Sequence, residues 1–517
     1  MSKIRGPVLV VIILALVAGA IVFLKPILFD RQQRSTSNSS ASSEVMRFGG
    51  DEYHGYWFIN SPDMRQFAPR QGIEIDFTDD GGAYAERLKK FDDGDYDCIV
   101  LPINSYLEHG AKYRFPGVVV AAVAESQGAD AIVGFADLMP SGKINELNDA
   151  SLRFVYTGAS PTSFLQDLII SDFALDQLQT TNDWRHEVGS PEEVYNLAKK
   201  ATSDRSVGDV FGLWEPWVSK AEEKLGLKVL WSSEKFSGYI VDVFVFHRDF
   251  VKHKPELVQK FLSTYFRVLN RYASDKDRMI KEMTKTTDLN KASVTEICGK
   301  INWFDLQENC AQQFGVSLGP SVPSNDRIIS SIISCSDVME RAGYFDTDDL
   351  RDPYRIVNNS FLEVLVQSEL QNVGTSQAVV IDFSPLDSTG WIALKEAGTM
   401  AIKPITFQSG NNRLDETGKS IVDKMANMLV NNYPTYRVSI RGHTGPGDEQ
   451  ANAQLSLERA QVLKQYLIAV YGVDEDRLQA LGLGATQPPK RQSGESTRSF
   501  RIRMPRVEFV LLEGDML

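Results

Sequence analysis

The chain has 517 residues, with 55 basic and 68 acidic side chains for a formal net charge of −13, and 43% of its residues are hydrophobic. This composition is typical of globular proteins and excludes a disordered or fibrous chain. The acidic excess argues against a nucleic-acid-binding protein, because phosphate backbones are bound by clustered lysines and arginines. At about 100–200 residues per domain, the length predicts roughly three folding units.

An uncharged apolar segment begins near the N-terminus, where residues 7–24 read PVLVVIILALVAGAIVFL. At about 1.5 Å per residue, this run would form a helix about 27 Å long, close to the ~30 Å hydrocarbon core of a bilayer. A cleaved secretory signal is the alternative, but apolar residues continue beyond the small-residue triplet at 18–20. We therefore expect a transmembrane anchor at 1–30, followed by a flexible serine-rich linker at 31–46.

Residues 47–367 alternate strand-like runs with amphipathic helices, which predicts an α/β domain with largely parallel sheets, built as two lobes. The predicted strands lie at 73–77, 97–103, 117–124, 152–158 and 239–246. Helices are predicted at 163–178 and 255–273. In the second helix, five residues recur at helical spacing and are expected in the core: Leu257, Phe261, Tyr265, Val268 and Tyr272.

Four segments of this region resemble periplasmic solute-binding proteins of the nitrate/sulfonate/taurine ABC-transporter type. They are YDCIVLPINSYL (96–107), TGASPTSFLQDLI (157–169), GDVFGLWEPWVSKAEEKLGLKVLWSS (208–233) and SGYIVDVFVFHRDFVKHKPELVQKFL (237–262). The resemblance implies two lobes that close on a small solute, with chain crossovers near residues 140 and 242. It also makes an ABC permease or a signalling protein a candidate partner.

Candidate ligand contacts lie at one helix start and at predicted strand ends. Ser160, Thr162 and Ser163 begin a helix, where free backbone N–H groups favour an anion, and we therefore expect an anionic solute; ordinary helix capping is the alternative. Trp214 and Glu215 follow a strand and would form an aromatic wall, with buried packing as the alternative. The remaining candidates follow the first two strands or mark the returning strand: Tyr56, Trp57, Asp80, Tyr84 and Asp242.

Residues 401–517 predict a compact α+β domain after a connector at 368–400. This region contains ITFQSGNNRLDETG, VSIRGHTGPGDEQANAQLSLERAQVLKQYL, RLQALGLGATQPP and PRVEF. It resembles the OmpA-like peptidoglycan-binding family along its whole length. The resemblance implies non-covalent binding of the diaminopimelate residue of the peptidoglycan stem, outside the cytoplasmic membrane. We therefore expect a single-pass protein of the cytoplasmic (inner) membrane with its domains in the periplasm.

The peptidoglycan-binding candidates are Thr444, Asp448, Asn452, Arg459 and Arg506. Gly445 stands where the family usually carries Asp, and Asp448 is the nearest acid that could replace it. The family's terminal Asn-Arg-Arg is altered here to 504–506, which leaves only Arg506. Both departures leave open how strongly this domain binds peptidoglycan.

The helix that carries Arg459 supports the same assignment from its own pattern. On a helical wheel that starts at Leu455, Arg459 falls inside an apolar stripe with Val462, Tyr466 and Val470. A guanidinium in that position requires a carboxylate, supplied either by the ligand or by an internal Asp or Glu.

Catalytic and metal-binding motifs are not found in the sequence. Residues 417–420 mimic the end of a P-loop, but Arg413 stands where an earlier glycine is required. The four cysteines and six histidines show no zinc-site spacing, and we expect no enzyme activity, cofactor or metal. The leading hypothesis is a membrane-anchored solute-binding protein that docks on peptidoglycan. The alternative is an envelope tether whose solute-binding fold no longer binds a ligand.

Overall fold

The computed structural model describes residues 43–287, 289–319, 322–369, 383–408, 412–491 and 494–514. The predicted membrane anchor and most of the predicted linker lie outside these residues. Within the described ranges, every helix is too short or too polar to cross a bilayer.

The first lobe is built on a mixed six-stranded sheet. Its strands are β1 (Glu44–Gly50), β2 (Ile73–Asp79), β3 (Cys98–Pro102), β4 (Gly117–Ser126), β10 (Val241–His247) and β11 (Ile301–Trp303). They lie in the order β11-β4-β10-β3-β1-β2, with β10 antiparallel to both of its neighbours. Every residue of β3 and β4 is buried, as expected for central strands with continuous apolar runs. The sheet begins at Glu44, inside the segment predicted to be linker.

The second lobe is built on a five-stranded sheet. Its strands are β5 (Asp130–Gly134), β6 (Phe154–Thr157), β7 (Arg185–Val188), β8 (Val210–Trp214) and β9 (Lys228–Ser232). They lie in the order β7-β6-β8-β5-β9, with β6 parallel to β7 and β8, and β5 antiparallel to β8 and β9. The two separate sheets confirm the predicted two-lobed α/β architecture. The prediction of largely parallel sheets is wrong, because β4, β5 and β10 pair antiparallel with all of their neighbours.

The chain passes between the lobes at residues 127–129 and at residues 233–240. The second passage ends just before the predicted crossover near 242. The predicted crossover near 140 is wrong, because Asp130–Gly134 already belongs to the second sheet. The run after β4 reads as a continuation of the first lobe, and its pairing with β8 is not visible in the sequence.

Helices cover both sheets of the two lobes. They are α1 (Pro62–Phe67), α2 (Tyr84–Asp92), α3 (Ile103–Gly110), α4 (Pro161–Asp172), α5 (Asp176–Gln179), α6 (Pro191–Ala201), α7 (Trp217–Leu225), α8 (Arg248–His253), α9 (Pro255–Ala273), α10 (Lys276–Thr286), α11 (Lys291–Gly299), α12 (Leu306–Glu308), α13 (Arg327–Ala342) and α14 (Ser360–Glu369). Helix α9 has the predicted bounds, and all five of its predicted core residues are buried. A 3₁₀ turn, His54–Asn60, follows β1.

The C-terminal domain is a four-stranded sheet covered by helices. Its strands are β12 (Lys395–Thr399), β13 (Arg437–His443), β14 (Leu478–Gly482) and β15 (Arg506–Glu513), in the order β12-β15-β13-β14. Its helices are α15 (Ser388–Ala393), α16 (Glu416–Asn431), α17 (Glu449–Tyr471) and α18 (Thr497–Arg503). The sheet therefore begins inside the predicted connector. Residues 402–407 form no strand, and Pro404, which lacks an N–H group, is a poor ladder residue.

Helix α17 lies directly on the sheet because two strand glycines allow its backbone to approach. A Cβ atom at Gly442 would lie 2.1 Å from the Ser456 carbonyl oxygen, and one at Gly482 would lie 2.5 Å from the Ala453 carbonyl oxygen. The residues that face the sheet are correspondingly small or narrow: Ser456, Ala460, Leu463 and Leu467. The apolar stripe of Leu455, Val462, Tyr466 and Val470 is therefore not the face on the sheet. Val462 and Tyr466 are half-buried against the core, whereas Val470 is 56% exposed.

The C-terminal domain packs against the second lobe and against α13 through a buried carboxylate. Asp172, at the end of α4, is fully buried. It accepts hydrogen bonds from the hydroxyls of Tyr433 at 2.7 Å and Tyr239 at 3.1 Å. Arg341 donates to its other oxygen at 2.8 Å. This carboxylate therefore joins α4, α13, the second lobe passage and the C-terminal domain in one network.

The C-terminal domain also binds the second passage between the lobes. The backbone N–H of Ser237 donates to the Asn432 carbonyl at 2.8 Å, and the Asn432 side-chain amide donates back to the Ser237 carbonyl at 3.0 Å. Nearby, Lys235 pairs with Glu513 at 2.7 Å. The segment that links the two lobes is thus held by the third domain.

Candidate functional site

The strand ends of the two sheets place polar side chains together between the lobes. In the first lobe, β1, β2 and β3 end at the same edge, where Asp242 opens β10 opposite Pro102. In the second lobe, Asp130 opens β5 opposite Trp214. Carboxyl ends of strands are where open α/β sheets bind ligands. We call the residues gathered here the interlobe cluster: Asp51, Tyr53, Tyr56, Asp80, Tyr84, Arg87, Asp130 and Asp242.

Arg87 is the guanidinium of the interlobe cluster, and its charge is already matched. Its side chain is fully buried, and it donates to Asp51 at 2.8 Å and to Asp80 at 2.6 Å. It also donates to the Val100 carbonyl at 2.6 Å and stacks on the Tyr84 ring at 4.7 Å. With two carboxylates and a carbonyl on it, this guanidinium has little capacity to bind a further anion.

Asp242 is a buried carboxylate with one unused oxygen. Its side chain is 1% exposed, and one oxygen accepts a hydrogen bond from the Tyr56 hydroxyl at 2.5 Å. Its other oxygen is buried and has no hydrogen-bond partner among the described residues. Burial raises the pKa of Asp242 well above its ordinary value, and the Asp130 and Asp51 carboxylates raise it further. The group therefore favours its protonated form until a donor or a cation reaches it.

Asp130 faces the same cluster from the second lobe. It is 3% exposed, and its backbone N–H donates to the Ser126 hydroxyl at 3.1 Å. Burial raises the pKa of Asp130 to about 7, with smaller increases from Asp51 and Glu215. Between pH 4 and pH 7 this carboxyl is protonated in the folded protein but ionised in the unfolded chain.

We expect Asp130→Asn to change how stability depends on pH. Because the folded protein holds this proton more tightly than the unfolded chain, the free energy of unfolding should fall as pH rises from about 4 to about 7, by at most about 1.4 kcal/mol per pH unit. The substitution should flatten that decline, and urea unfolding at several pH values measures it. Asp92→Asn, which removes an exposed carboxylate of the first lobe, is the control. Equal slopes in Asp130→Asn and the wild-type chain would contradict the assignment.

The start of α4 is a capped helix end whose hydroxyls are used internally. The Ser160 hydroxyl accepts from the Ser163 N–H at 3.3 Å and donates to the Thr157 carbonyl at 2.6 Å. The Ser163 hydroxyl accepts from the Ser160 N–H, which completes a capping box. Thr162 is fully buried beside Ser160, at 3.0 Å. Ordinary capping, the alternative reading, accounts for all three predicted anion contacts.

Trp57, Trp214 and Glu215 differ in their positions relative to the interlobe cluster. Trp57 points away, because its indole N–H donates to Thr286 of α10 at 2.8 Å. Trp214 lies at the cleft, 3.6 Å from the position that a Cβ would take at Gly82 of the other lobe. Glu215 is buried and engaged, since Lys300 donates to it at 2.5 Å and Ser219 at 2.8 Å. Trp57 and Glu215 are therefore structural in this conformation.

Several members of the cluster were missed from the sequence. Asp51, Tyr53, Arg87 and Asp130 are not among the predicted ligand contacts. Asp51 follows a Gly-Gly pair directly after a buried strand, and that signal could have found it. Arg87 and Asp130 carry no such signal, because only the strand order and the meeting of the lobes bring them to Asp242.

Arg459 is the central residue of the candidate site in the C-terminal domain. Its side chain is partly buried on α17, and its guanidinium lies 5.1 Å from the centre of the Phe407 ring. Its Nε atom is buried and unpartnered, and no carboxylate of the described residues forms an ion pair with it. The internal salt bridge that was the alternative for Arg459 is thus not seen in this part of the chain.

The other candidates of this site have different environments. Thr444 is 5% exposed, and its hydroxyl is buried without a partner. Asp448 is exposed and caps α17 through the Ala451 N–H at 2.8 Å, while the Asn452 amide donates to the Gly445 carbonyl at 3.1 Å. The prediction that Arg506 is a ligand contact finds no support, because Glu508 on the same strand occupies its guanidinium, at 2.6 Å.

Comparison with known proteins identifies the C-terminal part of the chain. Residues 406–501 match the OmpA family, so this part of the chain is an OmpA domain. Peptidoglycan-binding protein ArfA of Mycobacterium tuberculosis is 33% identical over 109 residues, which are 21% of this chain and 32% of that protein. Outer membrane porin F of Pseudomonas aeruginosa is 26% identical over 120 residues, 23% of this chain and 34% of that protein. The chain thus spans about a third of the length of the curated relatives it matches.

Solved structures similar to the two-lobed part are more distant. The alkanesulfonate-binding protein SsuA from Xanthomonas axonopodis pv. citri, bound to MOPS, is 14% identical, with a TM-score of 0.47 over 62% of this chain and 100% of that chain. The periplasmic nitrate-binding protein NrtA from Synechocystis PCC 6803 is 10% identical, with a TM-score of 0.45 over 64% of this chain and 90% of that chain.

Proposed function

We propose that this protein is a periplasmic solute-binding protein, anchored in the cytoplasmic membrane and docked non-covalently on peptidoglycan. The N-terminal apolar segment is the anchor, the two-lobed unit binds a small solute between its lobes, and the OmpA domain binds the peptide stem. An ABC permease or a signalling protein of the membrane would be its partner. The protein is a binding protein and not an enzyme.

The observation that carries the wall-binding part of this proposal is the guanidinium of Arg459, which has no carboxylate partner among the described residues and a buried, unpartnered Nε atom. A partly buried arginine without a carboxylate partner is costly unless a ligand supplies one. Its planar fork suits the bidentate geometry of a carboxylate, and the diaminopimelate side chain ends in one. Thr444, whose buried hydroxyl has no partner in the part of the chain that the structure describes, belongs to the same candidate site.

The solute-binding part is supported by the unsatisfied polar groups of the interlobe cluster. Buried polar atoms in folded proteins are nearly always hydrogen bonded, and an orphaned carboxylate oxygen between two lobes favours a ligand site over a packed spacer. A tether without a ligand remains the second candidate. The anionic solute expected from the sequence has little support in the cleft, because the capping hydroxyls and Arg87 are already engaged.

Sedimentation with purified peptidoglycan sacculi tests the wall-binding part. The full-length chain, kept in detergent, should pellet with sacculi that contain diaminopimelate, and a soluble stem peptide with diaminopimelate should release it. A stem peptide that carries lysine in place of diaminopimelate lacks the second carboxylate and serves as the control competitor. A chain that stays in the supernatant, or is released equally by both peptides, would contradict diaminopimelate recognition.

A further inference from the structure

The interlobe cluster carries more negative than positive charge. Asp51, Asp80, Asp130 and Asp242 contribute four carboxyl groups, whereas Arg87 contributes the guanidinium that two of them already share. The nearby ammonium of Lys300 is engaged by Glu215 at 2.5 Å and by Glu296 at 2.9 Å. Two buried carboxyl groups, one from each lobe, therefore have no cationic partner among the described residues.

Several buried oxygens around the cluster have no partner among the described residues, and neither do the two ring nitrogens of His54, which follows Tyr53. The second Asp242 oxygen is one of them. Another is the side-chain oxygen of Asn104, which is 1% exposed and lies two residues after Pro102, the register partner of Asp242. The buried Tyr53 hydroxyl faces Asp242, Asp130 and Asp51 and is hydrogen bonded to the Ser126 side chain. The Asn104 oxygen only accepts, and the free Asp242 oxygen accepts when the carboxyl is ionised, so a cationic donor satisfies both atoms. These atoms are independent of the charge balance and point to the same kind of ligand.

We propose that the interlobe cluster binds a small organic cation whose N–H groups donate to Asp242 and Asn104 between the lobes. This inference rests on the proposed solute-binding function and specifies the chemical class of the solute. An ammonium or guanidinium group would supply both the positive charge and several donors. Aromatic rings attract cations, and the cluster contains those of Tyr53 and Tyr56 in addition to the Tyr84 ring, on which Arg87 already stacks.

A metal ion fits this cleft less well than an organic cation. Among the described residues, no group of three or more His, Cys, Asp or Glu side chains is arranged to hold a metal. Calcium and magnesium need more oxygen ligands than a divided pair of carboxylates supplies. The aromatic rings and the amide oxygen are, in contrast, ordinary partners of alkylammonium groups.

Binding of such a cation has a consequence for protons. Burial raises the pKa of Asp242 and Asp51 above their ordinary values, and that of Asp130 to about 7. The other charged or titratable groups that face them come from several elements: Asp80 after β2, Tyr84 and Arg87 on α2, Tyr53 and Tyr56 after β1, Tyr265 on α9, and Glu215 with Lys300. A cation stabilises the ionised carboxylates, so its binding near pH 7 should release protons. Binding of an anion should instead favour the protonated carboxyl groups, so protons should be taken up.

Isothermal titration calorimetry of the full chain, in two buffers of different ionisation enthalpy at pH 7, tests the inference. Agmatine and putrescine are the cationic probes, and taurine and sulfate are the anionic ones. We expect at least one cationic probe to bind with release of protons and the anionic probes to show no binding. Asp242→Asn keeps the shape but removes the charge, and it should weaken the cation by about 10-fold or more. Asp92→Asn should leave its affinity unchanged.

Each other result has a definite meaning. Binding of taurine or sulfate with proton uptake would overturn the cation assignment and leave solute binding intact. If no probe binds, mass spectrometry of the small molecule that copurifies with the chain decides between the remaining cases. A copurified amine or guanidine supports the inference, and an anionic or neutral molecule overturns it. A chain that carries no small molecule and binds no probe would overturn solute binding itself and favour the tether.

Discussion

Arg459→Ala should reduce retention of the full chain on diaminopimelate-containing sacculi by about 10-fold or more. Charge-assisted hydrogen bonds contribute about 1.5–3 kcal/mol, and 1.4 kcal/mol corresponds to a tenfold change in affinity. Phe407 stacks on the guanidinium and holds it in place, so the side chain is already oriented for a carboxylate. Arg459→Lys keeps the charge but loses the planar fork, and it should recover only part of the binding.

A matched control separates recognition from general charge. Arg498→Ala removes the same charge from an exposed position of α18 in the same domain. It should leave retention nearly unchanged, whereas thermal unfolding should show that both variants are folded. Equal retention of Arg459→Ala and Arg498→Ala would contradict the assignment of Arg459 to the peptide stem.

Asp172→Ala should lower the free energy of unfolding by about 2–4 kcal/mol. The substitution leaves the hydroxyls of Tyr239 and Tyr433 buried without an acceptor, at about 1–3 kcal/mol for each unsatisfied group. Arg341 loses an ion pair as well, but its side chain is 39% exposed and can turn to water. Asp172→Asn keeps an acceptor oxygen and should cost less. Chemical denaturation of the full chain measures both variants.

The control for this prediction is a carboxylate whose ion pair lies at the surface. Asp348 pairs with Arg351 at 3.1 Å, and both side chains are more than 70% exposed. Asp348→Ala should therefore change stability by less than about 1 kcal/mol. A cost for Asp172→Ala as small as that of Asp348→Ala would show that the domain interface does not contribute to stability as described.

The amphipathic pattern of the sequence was sufficient where one face of an element is buried. Helix α9 has the predicted ends and the predicted core residues, because its apolar positions recur along one stripe and its polar positions fill the rest. The amphipathic pattern does not predict the buried face of α17, because apolar residues lie on all sides of that helix. There the close approach at Gly442 and Gly482 selects small residues for the inner face and displaces Val470 to the surface.

The candidate ligand site was only partly predictable for a related reason. Tyr56, Asp80, Tyr84 and Asp242 follow from the rule that ligands bind at strand ends. The sequence does not predict Asp130 as a ligand contact, because the predicted passage between the lobes, near residue 140, follows it. In the structure the passage lies at residues 127–129, so Asp130 begins β5 and faces the interlobe cluster. The balance of charge in the cleft depends on this strand assignment and cannot be read from composition.

The attachment of Asn432 to Ser237 has a mechanical consequence. Ser237 lies on one of the two passages about which the lobes must turn to admit or release a molecule. Such a turn must either carry the third domain with it or break both hydrogen bonds to Asn432. If the third domain binds peptidoglycan as proposed, tension from the cell wall would be applied at this pivot. By reciprocity, a solute bound between the lobes would then change the affinity of the third domain for peptidoglycan.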